Sequence, residues 1–372
     1  MKLRCPRAML AAAFQTVGGV VPTRTPKEIL KNVKLVVADN QATLVGTDQE
    51  VGIRYLLPEI ETDSSGETLI PTQRMAAILR EIRDDVVSLA AEDGVLWVRT
   101  AQSEFRLSTE DPAEFPDVEG FSGEDYYTVP GRTLRQLIQR SIFATDVEST
   151  RYALGGVRLE LTRDTITLAA TDSRRLAVVR AGCQVHGSVA EEQGEPVVPA
   201  KAMSLIERSV GDEERDVSIA VRNNDVLVKS GLSTIYSRLV EGRFPRYRDV
   251  IPIDARAQID MVVGPFHSAV RQAMIVTDDE SRGVDFSFGA GTLRLSSQAA
   301  NVGTSKIEMP IGYDGEEIIA TFDPRFVADF LKVLDPAAQI SLKLIDGNSA
   351  AVFTADENYT YVVMPLSREG RS

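Results

Sequence analysis

Six prolines mark a repeat that divides the chain into similar segments. Each proline precedes a run with the apolar spacing of an amphipathic helix, and successive prolines are 65, 59, 69, 66 and 59 residues apart. Proline is tolerated where a helix begins, because its missing N–H would have no partner within the helix there. The prolines are Pro6, Pro71, Pro130, Pro199, Pro265 and Pro324. The repeat predicts six copies of one helix-containing module.

Between the predicted helices the apolar residues alternate, which is the period of a strand with one buried face. Pairs of such runs flank short turn sequences, as Val86–Ala91 and Val95–Thr100 flank Glu92-Asp93-Gly94. The other pairs flank 162–164, 223–225, 289–291 and 346–348. Each module is therefore predicted to contain one helix and about four short antiparallel strands, which is an α+β organisation.

Two modules make one domain in this interpretation. Seven residues near the N-terminus recur in the same order 124 residues later, the distance that also separates Pro6 from Pro130. The matched residues are Leu30, Val33, Leu35, Thr43, Leu44, Thr47 and Asp48 with Leu154, Val157, Leu159, Thr167, Leu168, Thr171 and Asp172. A chain of 372 residues is long enough for two or three domains. We predict three similar domains at 1–124, 125–252 and 253–372.

Charge is distributed unevenly between the predicted helices and the rest of the chain. The net charge is −13, yet the six helical segments together carry +9, which leaves −22 elsewhere. Basic residues are good helix formers on solvated faces, which is an ordinary structural explanation. Alternatively, the helices present a basic surface to a polyanion. If the modules curve into a closed ring, that lining predicts salt-sensitive, sequence-independent contacts with the phosphates of duplex DNA.

The sequence lacks the motifs that would indicate an enzyme. It has no glycine-rich nucleotide-binding loop, no Gly-x-Ser-x-Gly motif and no His-Glu-x-x-His motif. His186 follows Cys183 by three residues, but no second Cys/His pair completes a metal site. Asp172 is a candidate catalytic carboxylate, although its repeat at Asp48 favours a structural turn, and the acidic run 278–280 favours a solvated loop. We expect no catalysis, no cofactor and no metal ion.

Composition indicates a cytoplasmic globular protein. Apolar residues make up 43% of the chain and charged residues 26%. Two cysteines, Cys5 and Cys183, are too few for a disulfide framework and favour a reducing compartment. The N-terminal segment lacks the apolar core of a signal peptide, and no run approaches the ~18 apolar residues that a membrane span requires.

Four long motifs and one short one are specific enough to indicate a family. They are Arg151-Tyr152-x-Leu154-x-Gly156, Ala170-Thr171-Asp172-x-x-Arg175-Leu176-Ala177-Val178, Leu239-Val240-x-Gly242-Arg243-Phe244-Pro245-x-Tyr247-Arg248, Tyr361-Val362-Val363-Met364-Pro365 and Glu114-Phe115-Pro116. Together they resemble the bacterial sliding clamps, the beta subunits of DNA polymerase III, over essentially the whole chain. The resemblance implies three similar domains per chain and a head-to-tail homodimer. One chain would form half of a ring-shaped DNA clamp, with helices lining the hole and sheets outside.

The resemblance also implies a function. A clamp loader opens the ring, duplex DNA enters, and the ring tethers the replicative DNA polymerase and other proteins that carry a clamp-binding motif. Tethering acts by raising the effective concentration of the polymerase beside its template. Two alternatives stay open. One is a repeat-built enzyme with its active site at Thr171–Arg175, and the other is a clamp paralogue that serves repair or a specialised polymerase.

Matching motif positions implies a partner-peptide site between the second and third domains. Its residues are Leu154, Thr171, Ser173, Arg174, Arg175, Leu176, Pro245, Val250, Val362, Met364, Pro365 and Leu366. An apolar cleft that includes flexible Met suits several competing partners. A simple core role stays open for Leu176, Val362 and Met364.

Four departures from the family pattern concern partner preference. Ser173-Arg174 stands where the family commonly has Gly-His, which adds a charge at the rim of the cleft. Asp249 replaces a basic residue and Ala153 replaces a tyrosine. The chain also ends in a longer and more polar segment, 367–372, than the family usually has.

The resemblance places Arg24 at a DNA-contacting position, and helix placement suggests six further basic residues for the same surface. These are Arg74, Arg80, Arg132, Arg135, Lys201 and Arg208. The subunit interface is expected to join domain one to domain three, with Phe105 packing near Ile275 and Val276. An apolar contact of that kind suits a long-lived ring that still opens.

Overall fold

The computed structural model describes residues 1–38, 40–58, 60–146, 148, 152–188, 196–211, 214–277, 282–299 and 302–366. Three features predicted from the sequence lie outside these residues. They are Arg151 of the first family motif, the acidic run at 278–280 and the polar C-terminal segment 367–372.

Six α-helices occur in the described residues, and each begins at or beside one of the six prolines. They are α1 Arg7–Gly18, α2 Thr72–Glu81, α3 Gly131–Gln139, α4 Ala200–Ser209, α5 Val263–Met274 and α6 Pro324–Lys332. The helix prediction is therefore confirmed, although α5 begins two residues before its proline. Each helix buries one apolar face, as α2 does with Met75, Ile78 and Leu79.

Short antiparallel strands connect the helices, as the alternating pattern predicts. The strands are β1 Lys2–Pro6, β2 Asn32–Ala38, β3 Gln41–Thr47, β4 Val51–Leu57, β5 Glu61–Ser64, β6 Gly66–Pro71, β7 Val86–Glu92, β8 Val95–Arg99, β9 Glu104–Ser108, β10 Tyr126–Pro130, β11 Gly156–Leu161, β12 Thr165–Thr171, β13 Arg175–Gly182, β14 Gln184–His186, β15 Val197–Pro199, β16 Asp216–Val221, β17 Asp225–Ser230, β18 Ser233–Arg238, β19 Ala257–Val262, β20 Val284–Gly289, β21 Thr292–Ala299, β22 Gly303–Pro310, β23 Ile318–Phe322, β24 Gln339–Leu344, β25 Ala351–Ala355 and β26 Tyr359–Val363. Short 3₁₀ turns lie at Glu28–Lys31, Pro112–Glu114, Ile142–Ala144, Tyr152–Gly155 and Tyr247–Val250.

Met1–Arg135 and Cys183–Val240 form one compact unit. It contains a five-stranded sheet in the order β5-β1-β7-β8-β9 and a nine-stranded sheet in the order β14-β10-β16-β17-β18-β4-β3-β2-β6. The pairing of β18 with β4, which sets Ile235 opposite Ile53, joins strands from the first two predicted domains. Helix α1 packs on α2 and on strands β3 and β4, so the apolar face of the sheet is covered.

Gln136–Gly182 and Glu241–Ser372 form the second compact unit. Seven of its strands hydrogen-bond in the order β11-β12-β13-β26-β25-β24-β19, and a second sheet has the order β22-β21-β20-β23. Helices α5 and α6 pack against each other. The core is aromatic around Phe330, whose ring stacks on Tyr361 with 4.9 Å between centroids. Tyr361 Oη donates to the carbonyl oxygen of Phe326 at 2.9 Å, which satisfies this buried hydroxyl.

Each unit contains a sheet that continues across one predicted domain boundary. In the first unit β18 pairs with β4, and in the second β13 pairs with β26. The folded chain therefore has two compact units, whereas the sequence repeat predicts three domains. The boundaries at 1–124, 125–252 and 253–372 describe the repeat and stay a prediction.

Neither a membrane-spanning helix nor a metal-binding cluster occurs in the described residues. No helix there is long and apolar enough to cross a membrane. Within the same residues, no group of three or more His, Cys, Asp or Glu side chains is arranged to hold a metal ion.

Candidate functional site

The turn between β12 and β13 is closed by four hydrogen bonds. Thr171 Oγ1 donates to the carbonyl oxygen of Arg175 at 2.6 Å and accepts from the backbone N–H of Ser173 at 3.1 Å. Asp172 Oδ1 accepts from the backbone N–H groups of Arg174 and Arg175, both at 2.9 Å. The side chains of Thr171 and Asp172 thus bond backbone groups that have no strand partner in the turn, which explains a structural role for this pair.

Arg175 is fixed by partners on several sides, and its side chain is only 11% exposed. Its Nε donates to Asp172 at 3.0 Å, its Nη1 to Asp329 at 2.6 Å and its Nη2 to the carbonyl oxygen of Phe143 at 2.6 Å. The guanidinium carbon also lies 5.4 Å from the Phe143 ring centre and 4.5 Å from the Phe326 ring centre. Arg175 thereby connects the turn to helix α6 and to the 3₁₀ turn at Ile142–Ala144.

The charge of Arg175 is stable in this environment. Burial alone would lower the pKa of the guanidinium, but Tyr361 and the hydrogen bond to Asp329 outweigh that effect and raise the pKa above its usual value. The same burial raises the pKa of the Tyr361 hydroxyl. Because its donors are used within the protein, Arg175 is a positioning residue of the turn rather than a free cation.

A largely apolar cavity of about 350 Å³ opens beside this turn. Its lining consists of Thr171, Ser173, Arg174, Arg175, Leu176, Pro245, Tyr247, Val250, Val362 and Met364. Leu176 and Val362 are cross-strand partners on β13 and β26, and both are 3% exposed. Val250 and Met364 are 57% and 46% exposed. A buried apolar floor with a more exposed apolar rim suits the side chains of a short peptide segment.

Nine of the twelve predicted cleft residues line this cavity, and three do not. Leu154 is 3% exposed and belongs to the core. Pro365 and Leu366 are half-buried beyond Met364, and the backbone N–H of Leu366 donates to the carbonyl oxygen of Thr321 at 2.7 Å. The role of all twelve in partner binding stays a prediction.

Tyr247 lines the cavity but is absent from the predicted set. Its signal in the sequence is the Phe-Pro-x-Tyr spacing of the linker, which the motif contains without assigning a role. Burial, followed by the neighbouring carboxylate of Glu160, raises the pKa of the Tyr247 hydroxyl to about 12. Glu160 itself is paired with Arg158 at 2.9 Å and with Arg248. Tyr247 is thus a neutral, buried wall of the cavity.

Family models and curated relatives match the whole architecture. The models for the N-terminal, central and C-terminal domains of the DNA polymerase III beta subunit match residues 1–119, 128–246 and 248–367. A beta sliding clamp from Pseudomonas putida is 30% identical over 374 residues, which covers 98% of this chain and 100% of the relative. The chain belongs to the beta sliding clamp family. The beta sliding clamp of Escherichia coli is 26% identical over 369 residues, covering 98% of this chain and 100% of the relative.

Solved structures of this family have the same fold. The beta subunit of DNA polymerase III from Pseudomonas aeruginosa has a TM-score of 0.91 at 28% identity, covering 98% of this chain and 100% of that one. The sliding clamp from Bacillus subtilis has a TM-score of 0.92 at 23% identity, with 99% of each chain covered, and supports the fold alone. A Pseudomonas aeruginosa clamp solved with griselimycin bound has a TM-score of 0.91 at 28% identity, with 99% of each chain covered. The chain is therefore a sliding clamp of DNA replication.

Most basic residues predicted to face DNA in this clamp are exposed. The exposed ones are Arg24, Arg74, Arg80, Arg132, Lys201 and Arg208, and Arg135 is half-buried. Some of the exposed side chains have carboxylate neighbours among the described residues. Lys201 pairs with Asp48, and Arg80 pairs with Glu81 at 3.2 Å. These residues stay predictions for DNA contact.

Some arginines counted on the helical segments bind groups within the protein. Arg7 donates to the carbonyl oxygens of Asp84 and Leu79. Arg140 pairs with Asp356 at 2.9 Å, and its side chain is 12% exposed. The basic excess of the helical segments therefore overstates the charge that they present to a ligand.

The predicted interface residues of the clamp lie beside strands at sheet edges. Phe105 is half-buried on β9, which is an edge of the five-stranded sheet. Ile275 directly follows α5 and is 74% exposed, while Val276 is half-buried. Val276 Cγ1 lies about 4 Å from where a Cβ on Gly303 of β22 would be, and β22 is an edge of the four-stranded sheet. Their contact across a subunit interface stays a prediction.

Proposed function

We propose that this sliding clamp acts as a head-to-tail homodimer that encloses duplex DNA and tethers proteins through short peptide segments. The replicative DNA polymerase is the principal tethered partner, and a clamp loader opens the ring. The protein works by binding, in the cytoplasm, and catalyses no reaction. The observation that carries this proposal is the apolar cavity beside a turn whose backbone is fixed by hydrogen bonds.

The cavity supports peptide binding because its apolar floor is already in place. Leu176 and Val362 are held by the ladder between β13 and β26, so a partner side chain enters without reordering the sheet. A preformed site loses less conformational entropy on binding than one that must fold. Val250 and Met364 at the rim add apolar contact area, and Met adapts to side chains of different shape.

Unpaired sheet edges support the homodimer. An edge strand presents backbone donors and acceptors that another chain can pair with. The clamp offers two different edges, β9 and β22, each with apolar residues beside it. A head-to-tail contact joins two such unlike surfaces and closes into a ring when the rotation allows. Phe105, Ile275 and the 55% exposed Val302 are the apolar groups that we assign to this contact.

Exposed arginines support contact with phosphates rather than bases. Contacts of this kind are independent of sequence and weaken as salt rises, which permits sliding. The net charge of −13 opposes retention by electrostatics alone. Retention on DNA therefore follows from enclosure, and the electrostatic contacts centre the duplex.

The decisive experiment measures binding of a peptide from the replicative polymerase by fluorescence anisotropy. Leu176→Ala and Met364→Ala are each expected to weaken binding by about tenfold, because each removes an apolar contact in the cavity. Val86→Ala is the matched control for Met364→Ala, since Val86 on β7 is similarly exposed (52%, against 46% for Met364) and does not line the cavity. Equal affinity of the wild type and the three variants would contradict peptide binding in this cavity.

Enclosure of DNA has its own test. The loaded clamp is expected to leave linear DNA at its ends but to stay on a closed circle at salt that screens phosphate contacts. Its native mass is expected to be about twice the 40.7 kDa of the chain. Equal release from both DNA forms would exclude a closed ring. Loss of viability on depletion would favour the replicative clamp over a repair paralogue.

A further inference from the structure

Arg174 presents a cation at the mouth of the cavity, and its side chain has no partner among the described residues. Its side chain is exposed and lines the cavity, and no described residue provides a hydrogen bond or ion pair to its guanidinium. Its backbone is fixed on both sides. Its N–H donates to Asp172 Oδ1 at 2.9 Å, and its carbonyl oxygen accepts from the N–H of Met364 at 2.8 Å. The charge is therefore anchored at the rim yet available to a ligand.

The repeat provides an internal reference for this charge. Glu50 occupies the same place in the turn 124 residues earlier, and its carbonyl oxygen accepts from the N–H of Arg238 at 3.0 Å. The Glu50 carboxylate lies 3.7 Å from the Arg238 guanidinium, so the charge at this place in the turn is balanced within the protein. Met364 takes the place of Arg238 beside the second turn and carries no charge. The charge of Glu50 is therefore paired with that of Arg238, whereas the charge of Arg174 has an uncharged neighbour in the equivalent place.

Three carboxylates that contact or neighbour cavity-lining residues are paired with other arginines. Asp172 and Asp329 both bind Arg175. Asp249 lies 3.3 Å from Arg246. None of these three groups therefore neutralises Arg174.

We propose that Arg174 selects partner segments that carry a carboxylate beside the apolar residue that enters the cavity. The inference rests on the proposed peptide-binding function and specifies its ligand. An apolar floor with the Arg174 cation at its rim matches an apolar side chain followed by an anionic group. A charge-assisted hydrogen bond between guanidinium and carboxylate supplies the selectivity. The carboxylate comes either from an Asp or Glu side chain or from the C-terminus of the partner chain.

Four synthetic peptides separate these sources. They share one apolar segment from the replicative polymerase and differ only in Asp or Asn beside it and in a free or amidated C-terminus. Affinities are measured by fluorescence anisotropy at low and high salt for the wild-type clamp and for Arg174→Gln, Arg174→Lys and Arg180→Gln. Arg180 is the matched control, because it is an exposed arginine on β13, six residues further along the chain, and does not line the cavity.

Wild-type clamp is expected to bind the preferred carboxylate peptide about three- to tenfold tighter than its amide counterpart, a preference that shrinks at high salt. Arg174→Gln is expected to lose the preference, so that it binds the carboxylate peptide and its amide counterpart with equal affinity. Arg174→Lys should retain part of the preference, and Arg180→Gln all of it.

Two results would overturn the inference and are distinguishable from each other. If wild type binds all four peptides equally, or if Arg174→Gln keeps the preference, Arg174 is not the selector, although the cavity still binds peptides. If no peptide binds to wild type, the proposed function itself fails, and the inference fails with it. Unchanged thermal unfolding of Arg174→Gln confirms that the variant is folded.

Discussion

The turn at Thr47–Val51 and the turn at Thr171–Arg175 have the same hydrogen bonds in different surroundings. In the first, the threonine hydroxyl donates to the carbonyl oxygen four residues on at 2.9 Å and accepts from an N–H two residues on at 2.9 Å. The aspartate then accepts from two N–H groups at 2.9 and 2.7 Å. The third residue of each turn has a left-handed backbone, with φ of 81° at Gln49 and 74° at Ser173.

The side chains that follow these turns make them different. Gly52 follows the first turn, and a Cβ there would lie 2.6 Å from Val118 Cγ1, so this position is filled. Leu176 follows the second turn and lines the cavity together with Tyr247. The same turn backbone therefore lies beside a closely packed contact in one repeat and beside an open cavity in the other. The side chains around the turn make this difference. Four predictions test this comparison, from the largest expected effect to the smallest.

The largest effect is expected at the last residue of the second turn. Arg175→Ala leaves the Asp172 carboxylate, which is 15% exposed, without its cation and should lower the free energy of unfolding by about 3 kcal/mol. In the first turn Lys201 binds Asp48 but is 51% exposed, so Lys201→Ala should cost less than about 1 kcal/mol. Urea unfolding of both variants measures the difference. Equal losses would show that the two aspartates are held equivalently.

A second change introduces a side chain into the filled position of the first turn. Gly52→Ala places a Cβ within 2.8 Å of both methyl groups of Val118 and should destabilise the protein by about 2 kcal/mol through overpacking. The double variant with Val118→Ala should recover part of that loss, because the crowding methyl groups are gone. Thermal unfolding of the two single variants and the double variant gives the coupling. Simple additivity would mean that Val118 is not what excludes a side chain at Gly52.

A third, smaller effect concerns the left-handed residues. Ser173→Gly and Gln49→Gly should each raise the free energy of unfolding by about 0.5–1 kcal/mol, because glycine adopts a positive φ without steric cost. Ser173→Ala is the control, since alanine keeps the backbone strain and removes only the hydroxyl. Chemical denaturation compares the three. A loss of stability in Ser173→Gly would indicate that the serine side chain contributes more than its backbone costs.

The smallest effect is a pH dependence expected at Tyr247 in the second region. The pKa of Tyr247 is raised from about 10 to about 12 in the folded protein, so folding favours the neutral hydroxyl. The associated stability is fully present below pH 10 and is lost as the pH rises towards 12. Val118, in the first region, has no ionisable group.

Urea unfolding between pH 9 and pH 12 is the measurement for Tyr247. The Tyr247→Phe variant should lose stability less steeply than wild type across that window, whereas Val118→Ala should follow the wild-type slope. Tyr55, Tyr127, Tyr359 and Tyr361 also have raised pKa values and remain in every variant, so the comparison uses the difference between slopes. Parallel slopes for Tyr247→Phe and wild type would mean that Tyr247 does not titrate in this window.

Several features of the fold and cleft were predictable because they depend on local chemistry. Proline at helix starts and alternating apolar residues located the six helices and the hairpins. The Thr-Asp pair, repeated at 47–48 and 171–172, predicted a turn because short polar side chains bond their own backbone. The cleft residues came instead from family motifs, which is why Leu154 was included although it is buried in the core. Tyr247 was missed for the same reason.

The sequence by itself determined the repeated module, since helix starts, strand period and turn chemistry all act within a few residues of each other. Only the tertiary structure decided which of the two equivalent turns has a cavity beside it. The partners of Arg175, at Phe143 and Asp329, and the methyl groups that crowd Gly52 come from distant parts of the chain. Such contacts depend on how strands pair and helices pack, and no local pattern encodes them.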